Sequence, residues 1–94
     1  MSDNLKTIQI LISGRVQGVG FRYFTESLAD KYPVNGYVKN TLDNRVEVVC
    51  QGETEDIDQF INELRKGPAF SVITDVNIEE LKTDRDYNSF EIKY

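Results

Sequence analysis

Apolar and polar side chains follow two different periods along the chain. Residues 5–13 alternate between the two classes, which predicts a strand with one buried face. From Phe21 to Tyr32 apolar side chains recur every three or four positions, which predicts an amphipathic helix that ends at Pro33. A second helical stripe follows Thr54 and ends before Gly67. Further strands are predicted over residues 34–40, 46–51, 72–81 and 90–94, with a hairpin turn at Asp43 and Asn44.

The order of these segments is β-α-β-β-α-β followed by a short C-terminal strand. This order predicts the α+β class and a ferredoxin-like split βαβ sandwich, with both helices on one face of the sheet. We expect one domain over residues 1–94, because this length suffices for a single core. A helical crossover makes the first two strands parallel, so both end at the same edge of the sheet. The glycine-rich loop, Arg22 and Asn40 therefore converge at that edge.

Composition narrows the possible chemistry. The net charge is −5, and no basic stripe is visible, so we expect no nucleic-acid partner. The chain contains no histidine, which excludes histidine triads and most zinc sites, and we expect neither a metal nor a cofactor. Cys50 is the only cysteine, and we expect it to pack in the core. With no long apolar run and no export signal near Met1, we expect a cytoplasmic monomer without a membrane partner.

The segment from Gly14 to Arg22 is the strongest candidate for chemistry. Its three glycines lie between a strand and a helix, where backbone N–H groups can surround a phosphate, and Arg22 adds a charged fork. A tight strand-to-helix turn with a solvated Arg22 explains the same spacing equally well. The candidate phosphate-binding residues of the loop are Arg15, Val16, Gln17, Gly18, Val19, Gly20 and Phe21.

Two segments closely resemble the signatures of the acylphosphatase family. They are Gly14–Arg22 and Gly36–Glu47, with Tyr37 where the family usually has tryptophan and Asn44 where it usually has glycine. The resemblance implies hydrolysis of acyl phosphates to a carboxylate and inorganic phosphate. It further implies that the loop amides and Arg22 hold the phosphoryl group, while Asn40 orients the water for in-line attack.

Two other functions are compatible with this fold. A noncatalytic anion-binding or regulatory domain is one, since a similar domain occurs in larger proteins such as a hydrogenase-maturation carbamoyltransferase. A single-strand RNA binder is the other, but Glu47, Val49 and Gln51 stand where stacking aromatics are needed. We expect the remaining nearby cations, Arg15, Lys39 and Arg45, to be solvated.

The C-terminal strand has two possible positions. A connector of about seven residues, Lys82–Asn88, is long enough to cross the sheet, so residues 90–94 can return parallel to the second strand. In that case the carboxylate of Tyr94 approaches Arg22. The alternative is a simple hairpin with the preceding strand, which leaves that carboxylate in solvent.

Overall fold

The computed structural model describes residues 5–94. Two expectations involve the first four residues, namely the start of the 1–94 unit and the missing export signal at Met1, and both lie outside the described residues. Neither helix within residues 5–94 has the length and apolar character needed to cross a membrane. The elements are β1 (Leu5–Arg15), α1 (Phe21–Lys31), β2 (Asn35–Asn40), β3 (Val46–Glu53), α2 (Thr54–Leu64), β4 (Val72–Leu81) and β5 (Phe90–Lys93).

The five strands form one mixed sheet in the order β4-β1-β3-β2-β5. β3 lies between β1 and β2 and is antiparallel to both, so β1 and β2 point in the same direction. The ferredoxin-like α+β architecture predicted from the sequence is confirmed. Because β1 and β2 are parallel, their C-terminal ends lie at one edge of the sheet.

Both helices pack against the same face of the sheet. Alternate residues of β1 point into this layer, and Phe21 of α1 and Phe60 of α2 are buried against them. Cys50 of β3 is fully buried in the same cluster, and burial raises the pKa of its thiol to about 12. A thiol in this environment stays protonated, which agrees with the structural role predicted for Cys50.

The opposite face of the sheet is partly covered by residues 82–89, which connect β4 to β5. Both faces of β3 are buried, since Val49 and Gln51 are just 1% and 8% exposed. The connector accounts for the burial of Gln51, because Gln51 Nε2 donates to the Arg85 carbonyl at 2.7 Å and the Tyr87 N–H donates to Gln51 Oε1 at 2.9 Å. Gln51 therefore fixes the connector over the sheet with both ends of its amide.

The connector delivers β5 to the edge beside β2. The two strands are parallel, with Gly36 opposite Phe90 and Lys39 opposite Lys93. This pairing confirms the parallel return and excludes the hairpin with β4. Tyr94 therefore follows β5 at the same end of the sheet as Asn40.

Gly14 allows β1 to bend toward the loop that follows it. The pairing of β1 with β4 shifts register between Ser13 and Gly14, and Gly14 has a φ of 124°. A Cβ atom at this position would lie 2.1 Å from the Val72 carbonyl oxygen and 2.9 Å from the Thr74 nitrogen. Only glycine fits this close approach of two backbones.

We predict that Gly14→Ala lowers the free energy of unfolding by roughly 2–4 kcal/mol, because it combines a left-handed φ with a backbone clash. Urea denaturation measures this loss. Gly52→Ala is the matched control, since its added Cβ would meet Pro33 and Val34 atoms at the milder distance of 3.2 Å. The control should lose less stability, and equal losses would contradict the role assigned to Gly14.

Candidate active site

The N-terminus of α1 is left without the usual side-chain partners. Gly20 occupies the N-cap position in a left-handed conformation, and no side chain caps the helix. The first turn of α1 contains no acidic residue, whereas that of α2 contains Glu55 and Asp56. The first N–H groups of a helix lack partners within it and carry partial positive charge. The start of α1 is therefore suited to an anion.

The loop before α1 adds further donors to this end. Gly18 and Gly20 have φ values of 75° and 79°, while Val19 between them is not among the residues with positive φ. Alternating conformations of this kind turn successive N–H groups toward one concavity. A Cβ on either glycine would meet nothing within 4 Å, so the backbone conformation is what requires glycine here. The same observation shows open space beside the loop.

A cavity of about 140 Å³ lies at this position. The buried side chains of Val16 and Phe21 contribute to its lining, and Arg22 is half-buried at its wall. The structure thus brings the glycine loop, Arg22 and Asn40 together, while Arg15, Gln17 and Val19 do not line the cavity. The lining residues are Val16, Gly18, Gly20, Phe21, Arg22, Tyr23 and Asn40.

The guanidinium of Arg22 is held by the chain that follows β5. Its Cζ lies 4.7 Å from the centroid of the Tyr94 ring, and Nη1 donates to the Lys93 carbonyl at 3.5 Å. Within residues 5–94 no ion pair shorter than 4 Å joins Arg22 to the Tyr94 carboxylate. Tyr94 contacts Arg22 as predicted, but through its aromatic ring. A cation over an aromatic ring is attracted to the negative face of that ring, which restrains the guanidinium plane.

Asn40 ends β2, and its position depends on a contact that the sequence did not reveal. Gln17 Nε2 donates to the carbonyls of Thr41 and Arg45 at 2.9 and 2.8 Å. This amide links the glycine loop to the turn that immediately follows Asn40. That Gln17 belongs to the phosphate-binding loop stays a prediction, and its side chain additionally connects the two halves of the site.

The β2–β3 turn is held together by hydrogen bonds among its own residues. Asn44 has a φ of 70°, which confirms the turn predicted at this dipeptide, and the Thr41 hydroxyl contacts Asp43 and accepts from the Arg45 N–H. Hydrogen bonds from Arg45 and Thr41 lower the pKa of Asp43 to about 2. The charge of Arg45 is therefore paired within the turn.

Lys39 is likewise paired, with its Nζ lying 3.5 Å from a carboxylate oxygen of Glu47. Lys39 and Arg45 are thus both paired with carboxylates. In the described chain, Arg22 is the charged residue of the cavity lining. The arrangement can bind one small anion through backbone N–H groups and a guanidinium. The amide of Asn40 lines the same cavity.

Comparisons with known proteins agree with this geometry. The acylphosphatase family model matches residues 8–92. An acylphosphatase of Bacillus velezensis is 47% identical over 85 residues, which are 90% of this chain and 94% of that protein. The crystal structure of acylphosphatase from Bacillus subtilis has a TM-score of 0.90 at 39% identity, covering 96% of this chain and 99% of that one.

A structure of full-length HypF in its phosphate- and nucleotide-bound form is also similar. Its TM-score is 0.86 at 34% identity, and the match covers 96% of this chain but 12% of HypF. Both acylphosphatases match over nearly their whole length. The chain belongs to the acylphosphatase family.

Proposed function

We propose that the protein hydrolyses acyl phosphates to a carboxylate and inorganic phosphate in the cavity between the glycine loop, Arg22 and Asn40. The observation that carries this proposal is the uncapped start of α1, which opens into the same cavity as Arg22 and Asn40. The family membership and the whole-length similarity to two acylphosphatases support the same reaction.

The phosphoryl group of the substrate binds at the start of α1. The N–H groups of the loop and the first helical turn donate to its oxygens, and the guanidinium of Arg22 donates to the same oxygens. Phosphoryl transfer depends mainly on alignment and on stabilising negative charge at these oxygens. Because these donors are already fixed by the backbone and by the Tyr94 ring, little reorganisation is needed when charge develops.

Asn40 orients the attacking water. An amide is too weak a base to remove its proton, so we assign Asn40 positioning of the water. The water oxygen forms a bond to phosphorus, the bond from phosphorus to the acyl oxygen breaks, and its electron pair leaves on the carboxylate. A proton of the water passes to an oxygen of the phosphate that is formed or to solvent. The carboxylic acid has a pKa of roughly 4, so the leaving group departs without a proton and no general acid is needed.

Metal independence belongs to this proposal and stays a prediction. Within residues 5–94 no three histidine, cysteine, aspartate or glutamate side chains are grouped so that they could hold a metal ion. The cytoplasmic location and the monomeric state expected from the sequence also stay predictions.

We predict that Arg22→Ala lowers kcat/KM for acetyl phosphate by about 10²–10³-fold, the usual loss when a fixed donor to developing charge is removed. Arg22→Lys should recover little, because lysine lacks the planar fork that binds two oxygens. Steady-state kinetics with excess chelator measures both variants, and Arg65→Ala, at an exposed position after α2, is the control. Near-normal activity of Arg22→Lys would contradict this role.

We predict that Asn40→Ala lowers kcat by at least about 100-fold while the inhibition constant of inorganic phosphate changes little. Water positioning acts on the transition state, whereas phosphate binding uses the loop and Arg22. Turnover and competitive inhibition by phosphate are measured on the same preparation, with Asn62→Ala on the exposed face of α2 as control. A parallel loss of phosphate affinity would make Asn40 a phosphate ligand instead.

A further inference from the structure

The outer wall of the cavity is aromatic. Val16 and Phe21 are buried, and Gly18 and Gly20 present only backbone, so these residues close the inner side. Tyr23 is the large lining side chain that reaches solvent, with 63% of its surface exposed. A group attached to a bound phosphoryl must leave the cavity on its open side. It therefore passes Tyr23.

A second tyrosine extends this wall. The Tyr94 ring is 89% exposed, and its face covers the guanidinium of Arg22. The pKa of the Tyr94 phenol is raised, first because that phenol is hydrogen-bonded to Tyr23. The two exposed tyrosines thus lie on either side of Arg22 in the sequence of contacts, Tyr23 in the cavity lining and Tyr94 over the guanidinium. They present an aromatic surface at the mouth of the cavity.

We propose that Tyr23 and Tyr94 form the subsite for the acyl group, and that the preferred substrates are acyl phosphates with an uncharged aromatic acyl group. This inference rests on the proposed function and names its substrate class. Aromatic rings gain from stacking or edge contacts with another ring. A small acyl group such as acetyl does not reach both rings.

Charge disfavours acyl groups that carry a second anion. Arg22 is the charged residue of the cavity lining in the part of the chain that the structure describes, and the phosphoryl group already uses it. The two phenols contribute no positive charge, and the net charge of the chain is −5. A second phosphate or carboxylate on the substrate would therefore find no second charged side chain in the cavity lining within residues 5–94.

The test compares benzoyl phosphate with acetyl phosphate for the wild type, Tyr23→Ala and Tyr23→Phe. The readout is the ratio of the two kcat/KM values, in which the intrinsic reactivity of each substrate cancels between variants. We expect Tyr23→Ala to lower the benzoyl-to-acetyl ratio by roughly 3- to 10-fold, the size of one aromatic contact. Tyr23→Phe retains the ring and should keep most of the preference. A ratio that Tyr23→Ala leaves unchanged would overturn the inference.

Binding of stable phosphonates separates this inference from the proposed function. Benzylphosphonate and methylphosphonate carry the two kinds of group without a bond that can be hydrolysed, and calorimetry gives their affinities for each variant. We expect the wild type to favour benzylphosphonate and Tyr23→Ala to lose that preference by a similar factor. If the wild type hydrolyses neither acyl phosphate, the proposed function fails, and the phosphonate affinities still decide the subsite. Equal phosphonate preferences in all three proteins would reject it.

Discussion

The unpaired N–H groups at the start of α1 are the interaction on which the site depends. A helix normally satisfies these donors with a capping side chain or a first-turn acid, and α2 has two such acids. In α1 the N-cap is Gly20 and neither device is present, so the donors and the helix dipole are left for a ligand. The rest of the fold keeps this end open and brings a guanidinium and an amide to it.

Four separate contacts hold those groups in place. The close approach of Gly14 to Val72 directs β1 into the loop, and Gln17 ties that loop to the turn after Asn40. On the far side of the sheet, Gln51 anchors the connector that lets β5 return beside β2. The ring of Tyr94 then covers Arg22. The geometry of this cavity thus depends on contacts at both faces and both edges of the sheet.

The sequence revealed the features that are local or periodic. Alternation of Ile8, Ile10 and Ile12 identified the buried face of β1, and the parallel direction of β1 and β2 followed from the helical crossover between them. The sequence could not reveal contacts that polar side chains make with residues far away along the chain. Gln51 is hydrogen-bonded to a connector more than thirty residues away, and Gln17 reaches across to Arg45. Such contacts carry no period, since each joins single residues from different elements.

The most direct test of the account follows the oxygen of the attacking water. In the proposed mechanism the site binds the phosphoryl group, Asn40 orients the attacking water and the carboxylate is the leaving group. Hydrolysis of benzoyl phosphate in water enriched in oxygen-18, with excess chelator, is analysed by mass spectrometry of both products. We predict that the label enters inorganic phosphate and is absent from benzoate. Label in benzoate would show attack on the carbonyl carbon and would contradict the central claim.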